Sequence, residues 1–159
     1  MKIPGYVLNI LFLGVLVSCR VASDSIQKGD QTVMLKGNDY VVFEYREDIF
    51  IPFKKSTKTT LSESELAEIE IILKKMVREN NSGAGSMSAI SLKGKRRQYV
   101  PVINKNGEKE VWINFFCSVR DDKWKGEIIA VFDGGNCFFN LKINLTEMTY
   151  YDLRVNGYA

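Results

Sequence analysis

Hydrophobic and polar positions alternate with period two through most of the C-terminal half of the chain. Val111, Ile113, Phe115, Cys117 and Val119 share one parity, with Trp112, Asn114, Phe116 and Ser118 on the other. Such runs of β-branched and aromatic residues, bounded by turn residues, predict strands. A second run places Trp124, Gly126, Ile128, Ala130 and Phe132 on one parity, and a third places Cys137, Phe139, Leu141, Ile143 and Leu145. Asp121-Asp122 and Gly134-Gly135 separate the runs, and Gly-Gly supplies the positive φ angles of a two-residue hairpin loop. Residues 111–145 therefore predict a three-stranded antiparallel meander. Phe132 faces Cys137, Ala130 faces Phe139, Ile128 faces Leu141 and Phe115 faces Ile128, so that the apolar parity shares one face. Asn106-Gly107, read as a two-residue loop, adds a strand at residues 97–103 with Val102 opposite Val111 and Val100 opposite Ile113. A turn at residues 146–150 brings Tyr151, Leu153 and Val155 onto the same face.

Upstream the period changes to that of a helix. Ser62 is a good N-cap and Glu65 completes a capping box, with Leu61 and Leu66 placed to staple it. Leu66, Ile69, Ile72, Leu73, Met76 and Val77 form one apolar stripe. Glu63, Glu65, Glu68 and Glu70 lie early and Lys74, Lys75 and Arg78 late, which complements the helix dipole and predicts a solvated face. Asn80-Asn81-Ser82-Gly83 ends the helix. Further upstream, Val41, Phe43 and Tyr45 alternate, as do Ile49, Ile51 and Phe53, which leaves room for an N-terminal hairpin. The predicted class is α+β, with one amphipathic helix packed across a curved antiparallel meander of about five strands in a single domain over residues 33–159.

One helix on such a meander resembles the cystatin-like folds. Gln98-Tyr99-Val100-Pro101-Val102 is similar to the Gln-x-Val-x-Gly hairpin by which cystatins wedge into papain-type proteases, although the Gly is missing and no Pro-Trp second hairpin follows. That resemblance implies a protease inhibitor. Residues 1–18 carry a different resemblance. Lys2 and the apolar run 7–17 read as a signal peptide. Leu16-Val17-Ser18-Cys19 resembles the lipobox of bacterial lipoproteins. It implies lipidation of Cys19 and anchoring in the cell envelope; the polar, aperiodic stretch that follows reads as a flexible tether over residues 19–32. Arg20 is not the Asp that signals inner-membrane retention in enteric bacteria, so the expected location is the outer membrane, facing the periplasm.

Composition removes several chemistries. The chain has no His, which excludes His-based triads, Cys-His dyads and imidazole metal sites. No Gly-rich phosphate loop is present and no cofactor or metal is implied, so no catalytic residue is assigned. Asp133 reads as a turn residue. A formal charge of +3, reduced by one when Lys2 leaves with the signal, gives no support to a nucleic-acid partner. The run Lys93, Lys95, Arg96 and Arg97 reads as a solvated loop, or more sharply as a contact for anionic lipid or polysaccharide. Cys117 and Cys137 fall at opposite ends of the meander and two strands apart, so no disulfide is expected between them.

The same register aligns the opposite parity in rows. Pro101, Trp112, Val131 and Phe138 form one, which Tyr158 can extend, and Tyr99, Asn114, Ile129, Asn140 and Asn156 form the next. Phe116, Glu127, Lys142 and Arg154 lie beyond. An aromatic row rimmed by Asn suits another envelope protein or a glycan. The competing reading is that Val41, Phe43, Ile49, Ile51 and Phe53 fold over this face as a second small core. The function expected from the residues is a non-catalytic, envelope-anchored binding or interaction module. The alternatives are a His-free envelope enzyme and a cystatin-type inhibitor.

Overall fold

The helix begins where the capping residues place it. The Ser62 amide donates to Glu65 Oε2 (2.8 Å) and the Glu65 amide to Ser62 Oγ (3.2 Å), closing the box at the start of α1, Glu63–Gly83. At the other end Asn81 clasps the next segment, donating to the Ile90 carbonyl (2.8 Å) and accepting from its amide (2.9 Å). The computed structural model describes residues 39–48, 52–83, 89–117 and 122–158. The signal segment, Cys19, the tether, Ile49, Ile51 and Asp121 lie outside the described residues.

The remaining elements are strands: β1 (Tyr40–Val42), β2 (Thr57–Lys58), β3 (Arg96–Ile103), β4 (Lys109–Phe116), β5 (Phe139–Asn144) and β6 (Thr149–Val155). They form one sheet, ordered β1-β3-β4-β5-β6, with β2 also on β3. The class is thus α+β with one helix and a mostly antiparallel sheet. The exception is β1, which runs parallel to β3; the second arm of the expected N-terminal hairpin lies partly outside the described residues.

α1 covers one face. Ile69, Ile72, Leu73 and Met76 pack on Tyr99, Val111, Ile113, Phe115, Phe139, Leu141 and Ile143. Glu63, Lys75 and Arg78 are exposed as expected of a solvated face, but other carboxylates of the helix have partners on the sheet. Glu65 takes Lys109 on β4 (2.5 Å), Glu79 accepts from the Tyr150 hydroxyl on β6 (2.7 Å), and Glu70, buried, pairs with buried Arg97 on β3. Arg97 also donates to the Tyr99 hydroxyl (3.2 Å) and lies over the Phe115 ring. Burial pushes that hydroxyl up to about 12 in spite of the neighbouring guanidinium. A charged residue inside a strand needs a partner from the covering layer, and Glu70 supplies it.

Two registers differ from the expected ones. The β3–β4 loop is three residues, Lys105-Asn106-Gly107, closed by the Asn104 and Glu108 backbone (2.9 Å), with Gly107 at φ 81°. One added loop residue pairs Val100 with Trp112 and Tyr99 with Ile113, so every β3 side chain changes face. A bulge in β6 does the same to Tyr151. Leu153 and Val155 pack with the helix-side core as expected, but Tyr150 replaces Tyr151 there. Tyr151 turns outward and donates to Glu110 (2.7 Å).

The largest correction is at the expected middle strand. β4 pairs directly with β5, setting Phe115 against Phe139 with stacked rings 4.3 Å apart, Ile113 against Leu141, and Val111 against Ile143. Two residues beyond the Phe pair, past the end of the ladder, stand Cys117 and Cys137, the latter closing a 3-10 turn, Gly135–Cys137. These form a disulfide with Cα atoms 5.3 Å apart, contrary to the expectation of free thiols. The described residues 122–136 between them form no strand of the sheet. Trp124 is buried, but Ala130 and Phe132 are exposed.

Removing one partner of the buried pair leaves an uncompensated charge in the core. Arg97→Met alone should lower unfolding free energy by roughly 3–5 kcal/mol, and adding Glu70→Leu should restore part of that loss. Urea denaturation of the single and double variants checks this; equal losses in both would remove the pair from the account.

Candidate ligand-binding site

The looped-out segment builds a site on the face away from α1. A 3-10 turn, Asp122–Lys125, seats Trp124 edge-on against Phe116 with ring centroids 5.8 Å apart, and Arg96 lies 5.1 Å above its ring. The chain then crosses the outer face without strand pairing. Its backbone groups, which a sheet would satisfy, are met by side-chain amides. Gln98 Nε2 donates to the carbonyls of Trp124 and Glu127 (both 2.7 Å), and Gln98 Oε1 accepts the Ile129 amide (2.9 Å). Asn114 Nδ2 donates to the Ile129 carbonyl (2.8 Å), and Asn156 Nδ2 to those of Val131 (2.6 Å) and Asp133 (3.0 Å). At the far end Gly135 has φ 57° and lies under the Tyr158 ring, where a Cβ would overlap it.

Between this segment, the strands and Pro52-Lys54 lies a recess of about 480 Å³. That is within the roughly 300–1,000 Å³ of small-molecule sites. Trp112 and Phe138 line it, with residues 128–132 also among its walls. Lys54, Lys142, Asp152 and Arg154 also line it. Lys142 Nζ donates to Asp152 Oδ2 (2.9 Å), and this hydrogen bond holds the Asp152 carboxyl below the usual carboxylate range. Asp152 sits at the β6 bulge with φ 54°, in the left-handed region. A bulge of this kind re-aims a side chain, here toward Lys142.

Of the residues expected on an outer binding surface, the structure brings six to this recess: Trp112, Asn114, Val131, Phe138, Asn140 and Asn156. Tyr99 and Pro101 are not among them. The β3 register turns both toward the helix side, and Tyr99 is fully buried there. Nor is the row a flat exposed one. Trp112 is only 6% exposed, donates to Asn140 Oδ1 (3.3 Å), and packs with Tyr45, Phe53, Val100 and Val102. Phe43 and Phe53 thus cover part of the face, as the competing reading expects of them, joined by Tyr45, which it did not include; Val41 is not in this cluster, and the recess occupies another part of the face. The basic run is also dispersed: Arg97 enters the core, Arg96 stacks on Trp124, and Lys95 donates to Cys117 Sγ (3.0 Å). Gln98 and Asp152 carry no sequence signal for their roles, because one depends on a register and the other on a bulge.

Among the described residues no group of His, Cys, Asp or Glu converges to hold a metal ion, and no helix is long and apolar enough to cross a membrane. Comparison with protein-family models, with curated proteins and with solved structures finds no match to this chain.

Gln98 satisfies three backbone groups of the crossing segment, so Gln98→Ala should lower stability by roughly 2–4 kcal/mol. It should also raise amide exchange across residues 124–131 selectively. Unchanged exchange there, measured by mass spectrometry, would show that the segment is held by other contacts.

Proposed function

We propose that the protein is a non-catalytic, small-ligand-binding lipoprotein of the cell envelope. In this reading Cys19 carries the lipid, residues 19–32 are the tether, and the domain presents its recess at the periplasmic face of the outer membrane. The single observation that carries the binding half is the recess, where aromatic and aliphatic side chains meet a few convergent charged groups. The anchoring half is supported by Leu16-Val17-Ser18-Cys19 after the apolar run. The Cys117–Cys137 bridge agrees with an oxidising compartment.

The alternatives have less support. A helix ahead of an antiparallel meander is in keeping with a cystatin-like arrangement. The protease-wedge segment, however, lies inside β3 with Gln98, Val100 and Val102 buried, so it offers no exposed hairpin. For a His-free enzyme, the recess brings one carboxylate, Asp152, already held by Lys142, and no second carboxylate lines it among the described residues. Paired acid and base groups of separated proton affinity are missing from that set.

Ala130 lines the recess and is exposed, so a large side chain there fills it without entering a core. An uncharged environment-sensitive dye such as Nile red should bind the wild-type protein at one saturable site. Ala130→Trp should abolish that binding and leave the melting temperature unchanged. Dye bound equally by both would place binding elsewhere. In the producing cells, Cys19→Ala should move the protein out of the membrane fraction; a variant that still fractionates with membranes would refute the anchor.

A further inference from the structure

Resting on that reading of the recess, we infer that its ligand is a small anionic amphiphile, with an apolar body on Trp112 and Phe138 and a carboxylate or phosphate head between Lys54 and Arg154. Three observations point to this chemistry. The lining carries three cationic side chains, Lys54, Lys142 and Arg154, against the single carboxylate of Asp152. Lys142 is committed to Asp152 at 2.9 Å and to the faces of the Phe53 and Tyr151 rings. Lys54 and Arg154, both exposed, are the other two cations of the lining, and Arg154, although it too feels the Asp152 charge, makes no ion pair with it.

The second observation concerns the amides. A sugar would need the Asn side chains of the lining as hydroxyl partners. The amide nitrogens of Asn114 and Asn156 are instead spent on backbone carbonyls of the crossing segment, and Asn140 Oδ1 accepts the Trp112 indole. What remains for a ligand body is mostly carbon: Trp112, Ile128, Ala130, Val131 and Phe138. The third observation is Phe132, which lines the recess yet is 88% exposed, so that one large ring stands uncovered beside it. Contact with an apolar body would remove that ring from water, a favourable transfer. A neutral hydrocarbon would leave two cations unused, and a cationic amphiphile would meet them with like charge.

Competition against the bound dye tests this with four single-chain probes, each below its micelle-forming concentration: dodecanoate, dodecyl phosphate, dodecanol and dodecyltrimethylammonium. The anions should displace dye at concentrations roughly five- to tenfold lower than dodecanol, the range expected of two solvent-exposed charge contacts. The cation should be weakest. In Lys54→Gln/Arg154→Gln the advantage of the anions should vanish while dodecanol binds as before. The stronger of dodecanoate and dodecyl phosphate identifies the head as carboxylate or phosphate. Equal displacement by anions and dodecanol would overturn the anionic assignment and leave the recess as an apolar site. An anion advantage that survives in the double variant would overturn the assignment of the head to Lys54 and Arg154. Failure of all four probes to displace a dye that does bind would overturn the amphiphile itself, and failure of the dye to bind would overturn the site.

Discussion

The direct pairing of β4 with β5, locked at its end by the Cys117–Cys137 bridge, is the constraint on which the rest of the structure depends. The ladder aligns Val111, Ile113 and Phe115 with Ile143, Leu141 and Phe139 under α1, and the cysteines follow just past its last pair. Among the described residues between them, 122–136, none pairs in the sheet. A bridge across a sequence separation of 20 removes enough loop entropy from the unfolded chain to contribute about 3 kcal/mol in the loop-closure picture. It also fixes both ends of the segment that walls the recess.

Expelling that segment creates a second requirement. Its carbonyls and amides no longer have a ladder, and unpaired backbone groups against a protein surface are unfavourable. Gln98, Asn114 and Asn156 act as the missing strand, each projecting from the sheet region into the crossing chain. The sheet is consequently covered on both faces. β3 is buried without a break from Arg97 to Val102 and β4 from Glu110 to Phe116. The ion pair of Arg97 with Glu70 and the contact of Tyr151 with Glu110 are the polar counterparts of that double burial.

Local sequence signals carried the helix, its capping box, its apolar stripe and four of the strands, because each rests on near-neighbour spacing. They did not carry what depends on a count of one. A three-residue loop at Lys105-Asn106-Gly107 in place of a two-residue one reverses β3, which moved Tyr99 and Pro101 off the outer face. A bulge at Asp152 reverses Tyr151. The alternation from Trp124 to Phe132 satisfies the strand rule as well as residues 137–145 do, and nothing local shows that β5 outcompetes it for β4. Glu70 looks like any solvated glutamate until Arg97 is known to point inward. The site was legible to the extent that its residues lie on β4, β5 or the crossing segment, whose outer parity was read correctly at Trp112, Asn114 and Asn140. The cationic rim was only partly so: Lys142 and Arg154 stood on the outward parity, but Lys54 comes from a segment with no periodic signal.

Non-reduced peptide mapping of the protein reads directly whether the described residues 122–136 are excluded from a β4–β5 ladder. Proteolysis without reductant, followed by mass spectrometry, should recover one linked pair joining the peptides of Cys117 and Cys137, and reduction should separate it. Two free thiols at these positions would restore a middle strand between β4 and β5, place the cysteines at opposite ends of a longer meander, and remove the wall from the recess.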